Sequence, residues 1–346
     1  MIKCADLFSG CGGLSLGFEN AGIEVVCAID NWNKSADVYN ENFSHQCYLH
    51  DLKDEEGTLE ILNRYTPDMI AGGPPCQDFS SAGKRDESLG RADMTYHFAN
   101  IICSYKPKWF VMENVERIKK SHILANVINQ YDKAGYGLTA VILSAQYCGV
   151  PQARKRFFLM GGLGEKHNVL LSALRSQLNN KPMTIRDYLG NSSGAGSTGA
   201  GSIGLDYYYR HPRNYSRRGV FSIDEPSPTV RGVNRPLPPG YKKHSGDPDS
   251  VNLSDIRPLT TIERSYIQTF PETFKFTGTK TNLEQMIGNA VPVNLAKFVA
   301  KAILEFCKNG ELEEQKQVLT VQQNLFPDTQ QFKMPNKALH TDNFGA

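Results

Sequence analysis

Six short apolar runs alternate with helical stretches through the first half of this chain, and that alternation limits its fold more than any other feature. The runs lie at 4–8, 24–29, 68–71, 109–112, 138–143 and 157–160. Between them, helical patterns occupy 55–65, 96–105 and 121–134. Leu14, Phe18 and Ala21 also fall at helical spacing, and Gly22 closes that helix. Such alternation predicts a doubly wound, mostly parallel α/β sheet with helices on both faces. Ligands of sheets of this kind bind at the carboxyl ends of the strands.

The 346 residues are enough for a large domain and a smaller, irregular, β-rich one. Net charge is only +2, so a nucleic-acid surface must arise from local clusters of Lys and Arg. No apolar run approaches the roughly 20 residues that cross a bilayer. The N-terminus carries no export signal, which predicts a cytoplasmic protein with reduced thiols. The eight cysteines form no CxxC pair, so neither a zinc knuckle nor another metal site is expected.

Composition divides the chain. Residues 1–181 hold the alternating pattern, and 182–270 are rich in Pro, Tyr and Arg. Periodicity resumes in 271–310, where Val293, Ala296, Val299, Ala300, Ile303 and Leu304 form one helical face. The polar stretch 311–346 reads as a disordered tail. Segment 192–202, built of Ser, Gly, Ala and Thr, reads as an engineered linker. A natural flexible loop would have the same composition.

Four local motifs fall at or near strand ends. Phe8-Ser9-Gly10-Cys11-Gly12-Gly13 is a glycine turn between strand and helix, followed by Asp30 at the next strand end. It suits a nucleotide-like ligand, but a merely tight turn looks the same. Gly72-Gly73-Pro74-Pro75-Cys76-Gln77 holds a cysteine in a stiffened, non-helical path, although a lone cysteine is more often a small buried apolar group. Glu113-Asn114-Val115 ends a strand with a carboxylate that is either a cap or a proton donor. Arg154 and Arg156 alternate along a strand and are expected on one face, which could also be a solvated basic edge.

Taken in order, these motifs closely resemble the DNA (cytosine-5)-methyltransferase family of bacterial restriction–modification type. The matching segments are 6–14, 73–77, Glu113-Asn114-Val115, Gln152-x-Arg154-x-Arg156 and Gly288-Asn289-Ala290-Val291-Pro292. They span nearly all of the chain to about residue 306. Ser9 stands where Ala is commoner, and Cys148 interrupts a usual Tyr-Gly.

The resemblance implies S-adenosyl-L-methionine as cofactor and double-stranded DNA as partner. Cys76 would add to carbon 6 of a flipped cytosine and Glu113 would act on ring N3. Arg154, and less directly Arg156, would hold the carbonyl oxygen of the base. Phe8, Gly10, Gly12, Gly13, Leu14, Asp30, Trp32, Asp51 and Asn289 would bind the cofactor, Asp30 through its ribose hydroxyls. Gln77, Ser80, Lys84 and Arg85 would lie on a loop that closes over the DNA. The family further implies a monomer and a cognate restriction endonuclease.

Within 182–270, residues 205–243 carry eight Lys or Arg against three acids, a balance of +5, with tyrosines interleaved. That suits phosphate contact and base reading. Thr229, Arg231 and Arg235 are the candidates there. A tRNA-methylating branch of the family carries a Cys-Phe-Thr signature in this region, and no cysteine lies between 149 and 306 here. A silent DNA-binding module would not need intact Cys76, Glu113, Arg154 and Arg156. A nicotinamide enzyme would carry G-x-G-x-x-G, but Ser15 takes the place of the third glycine.

Overall fold

The computed structural model describes residues 1–75, 94–190, 203–212, 214, 216–309 and 330–331. Cys76, Gln77, Ser80, Lys84, Arg85 and the 192–202 segment lie outside them.

In chain order, the first half contains β1 (Lys3–Leu7), α1 (Gly13–Glu19), β2 (Glu24–Asp30), α2 (Asn33–Asn42), β3 (Cys47–Leu49), α3 (Glu55–Tyr65), β4 (Met69–Gly72), α4 (Met94–Tyr105), β5 (Trp109–Val115), α5 (His122–Lys133), β6 (Tyr136–Ser144), β7 (Gln152–Ala153), β8 (Lys155–Leu163) and α6 (Leu171–Ser176). Then follow α7 (Ile185–Leu189), β9 (Tyr207–Tyr209), β10 (Val220–Ser222), β11 (Ser227–Pro228), α8 (Thr261–Ile267), α9 (Lys280–Asn289), α10 (Val293–Asn309) and β12 (Gln330–Gln331).

The large sheet runs β12-β6-β8-β5-β4-β1-β2-β3. Strands β3, β2, β1, β4 and β5 are parallel, whereas β8 runs against both β5 and β6. The chain leaves β1 toward β2 on one side and returns through β4 on the other, which puts the switch point between β1 and β4. Apolar side chains cover both faces. Leu14, Phe18, Leu295, Val299 and Ile303 bury one face, with Val111 and Phe158 of the sheet. Leu62, Phe98, Ile102, Leu124 and Val127 bury the other, with Phe110 and Leu159.

Helix starts follow from local chemistry. The carboxylate of Asp54 accepts the amide of Gly57, with Glu55 and Glu56 in the first turn of α3 and Arg64 in its last. Thr260 and Glu263 form a reciprocal cap at α8.

The C-terminal helix folds back onto the first half of the chain. Helix α10 lies on α1 so closely that a Cβ at Gly17 would stand 2.4 Å from the carbonyl oxygen of Val293. Residues 203–260 have little regular structure: β9 pairs antiparallel with β10, and β11 pairs with β7. Two expectations change. Arg154 falls in the break between β7 and β8, because its amide bonds back to Gln152 two residues earlier instead of joining a ladder. Within the tail expected to be structureless, Gln330 and Gln331 pair with β6 at the sheet edge. Among the described residues, no helix is long and apolar enough to cross a membrane.

Candidate active site

The carboxyl ends of β1, β2, β4 and β5 bring three of the motifs to one rim. After β1, Phe8 adopts φ 58° and Gly10 φ 55°. A left-handed phenylalanine is unusual and marks a backbone shaped by its surroundings. The carboxylate of Asp30 does the shaping. Its Oδ2 accepts the Gly10 amide at 2.8 Å, and its Oδ1 accepts the Trp32 amide at 2.8 Å and the Ser35 hydroxyl at 3.2 Å. Burial pushes the Asp30 pKa up, and these donors pull it back. Asp30 therefore clasps the turn with three internal donors, only one of which falls on Oδ2.

The glycines divide by role. A Cβ on Gly10 would meet nothing within 4 Å, so this position is open to a ligand. A Cβ on Gly12 would strike the Phe43 ring at 2.3 Å, and one on Gly13 would strike Val291. Those two are small because protein fills the space. Leu14 is buried, Trp32 half-buried, and Asp51 and Asn289 exposed. Asp51 accepts the Lys53 amide at 3.1 Å just past β3.

Below the turn lies a polar chain that motif reading had not assigned. Fully buried Asp6 accepts the Ser15 hydroxyl at 2.6 Å, and Ser15 in turn accepts from Tyr39 at 2.7 Å. The Tyr39 hydroxyl also lies 2.6 Å from Nε2 of His45. Burial raises the Asp6 pKa to about 7, with Asp30 adding to the rise, and lowers that of His45 to about 4. An Asp inside an apolar strand, with Ser nine residues later, was the available signal.

At the end of β5, Glu113 is 9% exposed and its Oε1 lies 2.8 Å from Nε of Arg156. A Cβ on Gly73 would stand 3.1 Å from the other carboxylate oxygen. The buried Asn114 side chain donates to the carbonyl of Pro74 at 3.3 Å, while its oxygen accepts the Val115 amide at 2.8 Å. Thus Glu113-Asn114 is in contact with the Gly73-Pro74 segment that leads to Cys76. Motif order alone does not reveal this tie.

The two arginines exchange their expected importance. Arg154 is 1% exposed and donates to the carbonyls of Val230, Gly288 and Ala290 at 3.1–3.2 Å. Burial first, then nearby Arg156, pulls its pKa well below the ordinary arginine value. With both terminal nitrogens bonded to the main chain, Arg154 is an internal tie and Arg156 is the partner of Glu113.

In the second half, the hydroxyl of Thr229 donates to the carbonyl of Ala153 and Arg231 donates to the carbonyl of His211, so both turn toward protein. Arg235 is exposed. Among the described residues, no three His, Cys, Asp or Glu side chains cluster to hold a metal.

An open approach at Gly10 and a carboxylate–guanidinium pair at the end of β5 lie on the strand rim where sheets of this kind bind their ligands, an arrangement that suits group transfer from a donor to an acceptor. Comparison with known proteins makes the class specific: the C-5 cytosine-specific DNA methylase family model matches residues 2–305, and the chain belongs to that family. It is a DNA cytosine-5 methyltransferase. It is 65% identical over 307 residues to the Type II methyltransferase M.HindV of Haemophilus influenzae, covering 89% of this chain and 98% of that protein. It is 48% identical over 313 residues to the Type II methyltransferase M.HgiDI of Herpetosiphon aurantiacus, covering 90% and 97%. The fold matches that of the S. pombe Dnmt2 methyltransferase with a TM-score of 0.66, at 19% identity over 88% of this chain and 99% of the other. It also matches the Entamoeba histolytica methyltransferase EhMeth with a TM-score of 0.62, at 20% identity over 91% and 99%.

Proposed function

We propose that the chain flips a cytosine out of duplex DNA and methylates its carbon 5 through a transient bond between Cys76 and carbon 6. A base inside the helix cannot reach a catalytic pocket, so it must be extruded. Addition of the thiolate to carbon 6 makes carbon 5 nucleophilic. Carbon 5 then takes the methyl group as the sulfonium–methyl bond breaks, and loss of the carbon 5 proton to a base expels the thiolate and restores the ring double bond.

The observation that carries this reading is the tie from Asn114 to Pro74 beside the Glu113–Arg156 pair. Cys76 is covalently next to Pro75. Glu113 would supply a hydrogen bond or proton at ring N3, and Arg156 would orient Glu113 and face the base carbonyl. The other cysteines are poor rivals: burial raises the pKa of Cys4, Cys11, Cys27, Cys47, Cys103, Cys148 and Cys307, which suppresses the nucleophilic thiolate.

S-adenosyl-L-methionine suits the glycine turn as donor and supplies an electrophilic methyl group on a sulfonium. Phe8 and Trp32 offer aromatic surface, Gly10 an open approach, Asp51 a carboxylate and Asn289 an amide. Gly12, Gly13, Leu14 and Asp30 hold the shape of that cradle. Residues 1–181 with 271–310 would form the catalytic unit and 182–270 the reading unit. Arg235 would reach base edges, and Gln77, Ser80, Lys84 and Arg85 would contact the DNA. The named relatives are Type II methyltransferases, which supports a place in a Type II restriction–modification system; in this reading the chain acts as a monomer in the cytoplasm beside a cognate endonuclease.

Bisulfite sequencing of DNA from cells expressing the chain identifies its target. A duplex with 5-fluorocytosine at that target cannot release the carbon 5 substituent as a proton, so it should trap a covalent adduct. Mass spectrometry should find that adduct on Cys76, and Cys76→Ala should form none. An adduct elsewhere, or turnover by Cys76→Ala, would overturn the assignment.

A further inference from the structure

We infer that Gln152 and Arg154 form a clip that couples the DNA-reading segment to the donor-binding end of the chain, so that filling one site tightens the other. This rests on the methyltransferase reading and adds to it a connection between the two substrate sites.

Val230 lies between Thr229 and Arg231 in the reading half. Its amide donates to Oε1 of Gln152 at 2.8 Å, and its carbonyl accepts from Nη1 of Arg154 at 3.2 Å. The same Nη1 reaches the carbonyl of Gly288 at 3.1 Å, and Nη2 reaches that of Ala290 at 3.1 Å. One guanidinium thus grips the reading segment and both neighbours of Asn289. Gln152 extends the grip: its Nε2 donates to Oε1 of Gln268 at 2.7 Å, and Gln268 donates to Ile287 at 2.6 Å and to Ala290 at 3.0 Å.

The two segments also touch directly. A Cβ on Gly288 would lie 2.2 Å from the amide nitrogen of Gly232 and 2.3 Å from the carbonyl carbon of Arg231. No larger residue fits there without moving one backbone against the other.

A buried guanidinium bonded only to carbonyls is a poor way to gain stability, because its desolvation outweighs the pull of the Glu113 carboxylate. The Nε of Arg154 has no partner at all. What the arrangement does provide is register. Val230 cannot shift without orphaning a buried donor or dragging Gly288 and Ala290 along. DNA that settles Val230–Arg231 therefore also settles Asn289, and a donor that settles Asn289 settles the reading segment. Such mutual bias is a coupling between sites, and it is reciprocal.

The test titrates the duplex identified by bisulfite sequencing, with and without saturating S-adenosylhomocysteine, the donor without its methyl. In the wild type this compound should tighten DNA binding roughly tenfold or more, within the usual range for coupled sites. In Arg154→Met and Gln152→Met the factor should fall to about twofold or less, while DNA affinity without the compound changes far less. Circular dichroism checks folding, and Gln152→Met carries the test should Arg154→Met not fold. A wild-type factor near one, or a folded variant that keeps the full factor, overturns the inference. Failure of the wild type to bind the compound at all would instead sink the methyltransferase reading, and this inference with it.

Discussion

The Nε of Arg156 lies 2.8 Å from Oε1 of Glu113, although the two residues belong to strands that run in opposite directions. In the ladder, Glu113 faces Phe158 and Val115 faces Arg156, so the pair are diagonal neighbours on one face of the sheet. Glu113→Gln keeps the shape but removes the acid, and methyl transfer should fall about 100-fold or more. Arg156→Lys loses the planar fork and should cost roughly tenfold. Incorporation of tritiated methyl into duplex DNA, with both substrates saturating, reads these losses. Glu113→Gln turnover within twofold of wild type would remove Glu113 from the chemistry.

Asn114 holds the approach to Cys76 through a single bond to Pro74. Asn114→Ala orphans that carbonyl and frees the segment. A lost buried hydrogen bond is worth about 1–3 kcal/mol. The catalytic rate should drop about tenfold while the affinity for S-adenosylhomocysteine stays near wild type, as calorimetry can show. Equal loss of both would point to general damage instead.

The glycines of the first turn should separate by phenotype. Gly13→Ala places a methyl against the carbonyl of Val291 and should destabilise the fold by about 1–3 kcal/mol in urea melts. Gly10→Ala meets open space, so its stability cost should be confined to the left-handed backbone, about 1–2 kcal/mol. Its larger effect should be weaker donor binding. Normal donor affinity in Gly10→Ala would argue against a ligand at that surface.

Asp6 makes stability depend on pH. Its pKa rises from 3.8 to about 7 on folding, so between those values the folded chain holds a proton that the unfolded chain has lost. Its contribution is full below about pH 4, declines as pH rises toward 7, and levels off above. At its steepest the decline approaches about 1.4 kcal/mol per pH unit. Asp6→Asn should flatten the slope of urea stability between pH 5 and 7. An unchanged slope would place the proton elsewhere.

Much of the catalytic half was legible because burial follows period. Residues 55–65 form α3 as expected, and each of the six apolar runs became a strand or its core. The short β3 was not visible, since three residues carry no period. The reversed sense of β8 was equally hidden, because alternating apolarity is the same in either direction. In the site, motif order located Glu113 and Arg156 but ranked Arg154 above its neighbour. Both are arginines two residues apart, and only packing shows that one bonds to three carbonyls while the other meets a carboxylate. The clasp made by Asp30 was hidden for a similar reason: it is built on main-chain amides and a hydroxyl, which leave no trace in residue identity.

The backward course of β8 has a further consequence. Strands that share a heading deliver their last residues to the binding edge, but a strand threaded the other way delivers its first. Arg156 therefore enters the rim from the same connection that carries Gln152 and Arg154, and the catalytic partner and the interdomain tether are spaced by only a few peptide links. Any insertion in that connection would disturb both at once, so natural length variation should be accommodated elsewhere on the molecule.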